Sequence, residues 1–277
     1  MNPIRFTAVV LPIALAFGLM APLSAQVADW QSKDMDGVGV DEQLGAQVPL
    51  DMEFRDSMGE VVRLGDLFDG ERPTVLTMNY ANCPQLCGLQ INGFVKSLNE
   101  MEQWSVGEQF RVITVSLDPT ESDDLAAGFR SKTLANYDRP QAEEGWSFLR
   151  GKNEDIRQLA DVIGFRYNSF EDKGQYAHTA VLMLLDPQGK VARYLYGIEY
   201  KPSTLRLSLA ETASSKYVST VDALILRCFL YDAASGTFVG DAWKITKIAM
   251  TLVAVILFAF IGRLILLERK VRKNTAA

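Results

Sequence analysis

The chain has 277 residues, of which 48% are hydrophobic and 22% charged. That balance is ordinary for a globular protein and excludes a disordered chain, a collagen-like repeat and a disulfide-stapled miniprotein. Three cysteines (Cys83, Cys87, Cys228) and one histidine (His178) allow at most one four-ligand zinc site and so exclude an array of zinc fingers, and residues 26–243, with 20 bases against 33 acids, lack the basic stripe of a nucleic-acid binder.

Residues 1–25 carry one charge, Arg5, ahead of an apolar run from Phe6 to Leu19, and end in Pro22-Leu23-Ser24-Ala25. This is the pattern of a secretory signal peptide cut after Ala25, with an uncleaved anchor as the alternative. Residues 26–47 are polar and aperiodic and read as a linker. A short strand and turn is expected over 61–68, a strand over 74–80 and a helix over 84–101. Residues 110–117 (FRVITVSL) are almost continuously apolar, as in a strand buried on both faces. A helix follows Asp118-Pro119, its start marked by Thr120-Glu121-Ser122-Asp123, which has the look of a capping box. A strand over 146–149 precedes a helix capped by Asn153, running to Ile163 and closed by Gly164. Residues 179–185 and 191–196 flank Asp186-Pro187-Gln188-Gly189-Lys190, which reads as a hairpin turn, and a helix over 202–213 follows.

Beyond a domain over 48–215, residues 216–243 form a juxtamembrane extension in which Tyr217, Val221, Leu224, Ile225, Cys228 and Phe229 recur at helical spacing. Cys228 reads there as a small buried residue, with an intermolecular thiol or auxiliary ligand as the alternative. Residues 244–268 read as a transmembrane helix, because 248–267 is interrupted only by Thr251, Gly262 and Arg263. Residues 244–277 hold seven bases and one acid, so the basic tail 269–277 is expected in the cytoplasm. The domain then faces the periplasmic side of the inner membrane.

Alternating strands and helices, closed by a hairpin and a last helix, give the order of the thioredoxin-like α/β fold. In such a sheet the parallel strands end at one edge, where ligand crevices form. Cys83, Cys87, Asp118 and His178 are expected at that edge. Asp118 has two readings there, a partner to the site and the start of the following turn.

Cys83 and Cys87 sit at a strand-to-helix junction, one helical turn apart, with Pro84 suited to the first helical position. A helix N-terminus favours a thiolate at Cys83. Two thiolates at this spacing hold a soft metal, and the sole histidine completes a Cys2His set that serves both Cu(I) and Cu(II). A structural disulfide across one turn gains little from chain entropy. A redox-active pair is the stronger rival, although such oxidoreductases usually have two residues between the cysteines and a cis-proline where His178-Thr179 stands here.

The Cys83-Pro84-Gln85-Leu86-Cys87 motif, Ser116-Leu117-Asp118-Pro119, and His178 ahead of an apolar strand ending in Asp186-Pro187-Gln188-Gly189 together resemble the Sco/SenC family over about residues 45–215. The resemblance implies a thioredoxin-like fold and one copper ion held by Cys83, Cys87 and His178. It also implies a role in assembling the copper centre of cytochrome c oxidase, with a copper-receiving oxidase subunit and a thiol or copper donor protein as partners. Many relatives have proline where Gly88 stands and an acid where Ala177 stands, which puts the orientation of the imidazole in question. The expected function is thus a membrane-anchored copper metallochaperone rather than a turnover enzyme. A thiol–disulfide oxidoreductase acting on exported cysteines, or a copper or redox sensor, are the alternatives.

Overall fold

The computed structural model describes residues 35–83, 86–137, 139–170, 174–213, 229–232, 237–240 and 242–275. In chain order these form β1 (Gly39–Val40), β2 (Glu53–Asp56), β3 (Val61–Arg63), β4 (Thr74–Asn79), α1 (Leu86–Glu100), β5 (Arg111–Ser116), α2 (Asp123–Asn136), β6 (Trp146–Arg150) and α3 (Asn153–Val162). There follow β7 (Phe165–Arg166), β8 (Asn168–Phe170), β9 (Gln175–Ala177), β10 (Val181–Leu185), β11 (Val191–Tyr196), α4 (Pro202–Thr212), β12 (Phe229–Asp232), β13 (Thr237–Gly240) and α5 (Ala242–Thr275).

Seven strands make the main sheet in the order β11-β10-β4-β5-β6-β2-β3. The central β4, β5 and β6 are parallel, with Asn79 beside Ser116, while β10 runs antiparallel to β4 with Met183 opposite Leu76. Alternate residues feed two cores, because successive side chains on a strand point to opposite faces. Leu76, Met78, Val181, Met183 and Leu185 join Phe54, Ile156, Leu159 and Phe165 on one side. Val75, Leu182 and Leu184 join Phe94, Leu98, Trp146, Leu205 and Leu209 on the other. Every residue of β4 and β10 is buried, which is why both read as near-continuous apolar runs. Each fully buried large side chain contributes about 1.5–3 kcal/mol, so the two cores hold the β4 and β10 ends in fixed register.

Local signals account for the boundaries. Ser122 caps α2, its Oγ accepting the Leu125 N–H at 3.3 Å. Glu121, read in the sequence as part of the capping pattern, turns inward instead and is only 7% exposed. Asn153 is the first residue of α3 rather than its cap; Lys152 holds the cap position and makes no side-chain cap bond. The hairpin between β10 and β11 is locked by Asp186, whose Oδ1 accepts the Gln188 and Lys190 N–H groups.

Two expectations are corrected. The stretch 26–47 does not act as a linker throughout: β1 pairs with β7, Gly45 N–H reaches the Val191 carbonyl, and Gln47 bridges to Lys190. These contacts are single backbone bonds on short segments, which leave no periodicity in the sequence. The helical reading of the extension also fails where it can be seen, because Phe229–Asp232 is a strand paired antiparallel with Thr237–Gly240. The aromatic and apolar residues of that hairpin suit a strand, and the other positions read at helical spacing lie outside the described residues. Residues 1–34, Pro84, Gln85 and Cys228 lie outside the described residues.

The apolar run 248–267 lies within α5. Among the described residues no helix is long and apolar enough to cross a membrane.

Candidate metal centre

The carboxyl ends of β4 and β5 and the amino end of β10 meet at one sheet edge, as the register demands. Cys83 lies on the loop after β4, Cys87 in the first turn of α1, and His178 between β9 and β10. Their ligand atoms all fall within 4.8 Å of one another. Two bonds of about 2.3 Å meeting at one ion span at most about 4.6 Å, so the triad needs only a small adjustment to close on a single metal.

Cys87 and His178 are nearly inaccessible, at 1% and 3%, while Cys83 is half-buried. The two cysteines are not joined in a disulfide. Cys87 N–H donates to Cys83 Sγ at 3.2 Å, and Cys83 N–H donates to the Tyr80 carbonyl at 3.3 Å. Burial pushes the Cys87 thiol well up; Cys83 adds to this, and backbone and side-chain hydrogen bonds from Tyr80 and Asn79 oppose it. His178 Nδ1 lies 3.2 Å from the Thr179 carbonyl and Nε2 lies 3.2 Å from Cys87 Sγ. A carbonyl only accepts, so Nδ1 carries the proton and the Nε2 lone pair faces the sulfur. A backbone carbonyl thereby orients the imidazole where an acid at position 177 is lacking, which is a common way to fix a ligating histidine.

Aromatic rings wall the site. Tyr80 packs edge-on against Tyr176 and His178 at 5.1 and 6.3 Å between centroids, and Phe165 lies 6.0 Å from His178. Tyr176 N–H donates to the Tyr80 hydroxyl, and the Tyr176 hydroxyl donates to Asp118 Oδ1 at 3.2 Å. The same Asp118 oxygen accepts the Thr120 N–H and hydroxyl and starts the turn, as one of its two readings had it. Glu121 Oε2 accepts the Ala81 N–H at 2.7 Å and the Ser116 hydroxyl at 2.9 Å, tying the cysteine loop to β5. Burial raises the Glu121 carboxyl above its ordinary range, opposed by those two donors. Tyr80, Tyr176 and Glu121 were missed by sequence reasoning. Tyr176, two residues before the sole histidine, was the one with a visible signal.

The donor set of two sulfurs and one imidazole suits a soft or borderline metal and fits copper in both oxidation states. A groove of about 290 Å³ opens from Cys83 and Cys87 between α1 and α2, past Gly88, Leu125 and Phe129. It gives the half-buried thiol a route to solvent.

A search of curated proteins found no match to this chain. Among solved structures, a protein of Aquifex aeolicus VF5 proposed to act in electron transfer is 26% identical, with a TM-score of 0.53, covering 61% of this chain and 93% of its own. A second from the same organism, proposed to act in electron transport, is 25% identical, with a TM-score of 0.50 over 60% and 96%. Bradyrhizobium japonicum ScoI, solved with copper bound, is 21% identical, with a TM-score of 0.43 over 64% and 100%. The SCO1/SenC family profile matches residues 41–213, which takes in the whole sheet and all three candidate ligands. This chain, with its α/β thioredoxin-like domain, belongs to the SCO1/SenC family.

Proposed function

We propose that this protein is a membrane-tethered copper-binding assembly factor that holds one ion between Cys83, Cys87 and His178 and helps build the copper centre of cytochrome c oxidase. The observation that carries this reading is the convergence of three soft and borderline donor atoms within 4.8 Å at the sheet edge. The contact of His178 Nδ1 with the Thr179 carbonyl supports it, because it orients the ring with Nε2 toward the Cys87 sulfur. Copper is the cargo here. The chain's own work is to exclude water with Tyr80 and Phe165, hold the imidazole, and leave Cys83 open toward the groove for an incoming partner ligand.

The tether is residues 244–268, with the basic tail 269–277 in the cytoplasm and the domain on the periplasmic side after removal of residues 1–25. The apolar run 248–267 followed by Arg269, Lys270, Arg272 and Lys273 supports this orientation. Protease added to spheroplasts is expected to digest the domain and spare a C-terminal tag.

A second reading, thiol–disulfide exchange on exported cysteines, draws on the contrast between a half-buried Cys83 and a buried Cys87. An accessible thiol that attacks and a sheltered one that resolves the mixed disulfide is what such chemistry needs. Titration of the reduced protein with Cu(I) against a competing chelator tests the first reading. One tightly held ion per chain is expected, and no uptake by the reduced protein overturns it.

A further inference from the structure

The three elements that carry the candidate ligands are joined by a short chain of buried amides. Asn79 closes β4, four residues before Cys83; Gln90 lies on α1, three residues after Cys87; Val181 opens β10, three residues after His178. Asn79 and Gln90 are both 0% exposed. Gln90 Nε2 donates to the Val181 carbonyl at 2.9 Å, and Asn79 Nδ2 donates to Gln90 Oε1 at 3.1 Å. These amide orientations follow from the partners. A carbonyl only accepts, so Gln90 must turn its nitrogen to Val181 and its oxygen to Asn79, which must then present its own nitrogen.

The sheet explains why a side chain is needed there. The β4–β10 ladder ends at the Leu76–Met183 pair, short of the site. The Ala180 carbonyl accepts from Gly197 N–H on the β11 side, so the next carbonyl, that of Val181, faces the β4 side beyond the end of the ladder. A buried carbonyl left there without a donor costs about 1–3 kcal/mol. Gln90 fills that position and in doing so fixes the distance from α1 to β10. Asn79 extends the tie to β4.

We propose that Asn79 and Gln90 are positioning residues, a buried amide clamp that sets the spacing of Cys83, Cys87 and His178 across β4, α1 and β10. The proposal rests on the copper reading for its purpose, although not for its geometry. Neither residue touches cargo; both act through the elements that carry the ligands. A pair that merely satisfies the core and a pair that sets the site differ in what happens when both amides are removed together. Replacing both side chains by apolar groups of similar shape removes the orphans of the Asn79–Gln90 bond but leaves the Val181 carbonyl without its donor, so the double variant regains stability only relative to Gln90→Met, while the tie stays broken.

The test uses the full chain in detergent micelles as Asn79→Leu, Gln90→Met and the double variant. Thermal unfolding, the ring resonances of the metal-free protein, and Cu(II) and Cu(I) titrations against chelators are measured on each. His178 is the sole histidine, so its ring signals need no assignment. Every variant is expected to melt below the parent, and the double variant above Gln90→Met, which orphans the Asn79 amide as well as the Val181 carbonyl. The His178 ring signals should be shifted or doubled in all three. Cu(II) affinity should stay roughly 10–100-fold below the parent in the double variant, with a smaller loss for Cu(I). Ring signals and Cu(II) affinity that rise from Gln90→Met to the double variant in step with the melting temperature overturn the clamp, as do ring signals unchanged in every variant. If the parent itself takes up no copper, the copper reading falls, and the metal-free ring signals alone decide the clamp.

Discussion

Replacing Glu121 by alanine is expected to destabilise the domain by about 2–4 kcal/mol. The carboxylate serves two donors, the Ser116 hydroxyl and the Ala81 N–H. Ser116 is 4% exposed, so its hydroxyl finds no water in exchange and accounts for about 1–3 kcal/mol; Ala81 is half-buried and is counted at the low end of that range. The Arg150 bond to the Glu121 backbone carbonyl survives the substitution and adds nothing. Glu121→Gln keeps an acceptor oxygen for both donors and should cost far less. The two variants also differ in pH dependence. The folded carboxyl holds its proton more tightly than the ordinary value of 4.5. Its contribution to stability is therefore complete below that value and is lost as pH rises through the raised folded pKa. The parent should lose stability relative to Glu121→Gln across that window, since the amide does not titrate. Urea unfolding followed by tryptophan fluorescence reads this directly, because Trp104 and Trp146 are buried in the domain. A loss below about 0.5 kcal/mol for Glu121→Ala, or equal losses for Ala and Gln, refutes the reasoning.

His178→Ala removes the nitrogen donor and leaves two sulfurs, so Cu(II) binding should weaken far more than Cu(I) binding, and oxidase assembly in cells should fail at low copper. Full assembly by that variant, with failure of Cys83→Ser or Cys87→Ser, would favour dithiol chemistry. Because burial keeps Cys87 protonated in the metal-free protein, copper uptake expels that proton. Apparent Cu(I) affinity should then rise by about tenfold per pH unit around neutrality for each proton released, and a flat profile contradicts it. Gly164 sits at φ +64, and an added Cβ would come within 1.9 Å of the Asp41 carbonyl oxygen. Gly164→Ala should therefore cost about 2 kcal/mol or more in denaturant unfolding and displace β1, while leaving the metal stoichiometry intact.

The parts of the fold that were legible are those where one residue pattern answers to one physical cause. The apolar runs over 74–80, 110–117 and 179–185 became β4, β5 and β10 because strands covered on both faces have no polar side to alternate with. Their shared edge then followed from topology, and with it the meeting of Cys83, Cys87 and His178. What stayed hidden depends on partners remote in the chain. Glu121 reads as a helix-start residue and acts as a buried acceptor for a backbone group 40 residues away. Asn79 and Gln90 look like breaks in apolar faces until the end of the β4–β10 ladder shows which carbonyl needs a donor. Tyr176 and Tyr80 share a bond through a backbone N–H, which no side-chain pattern announces.

The unequal depth of the two sulfurs imposes a sequence of events on any exchange. Both sulfurs border the groove, but Cys87 is almost fully buried and Cys83 only half, so an approaching ligand would meet Cys83 first. On the copper reading, an ion held by this triad would leave by first exchanging its bond to Cys83, with Cys87 and His178 the last to release it, and would arrive in the reverse order. Thiol-directed alkylation should mark Cys83 well ahead of Cys87, in the order in which the two sulfurs let go.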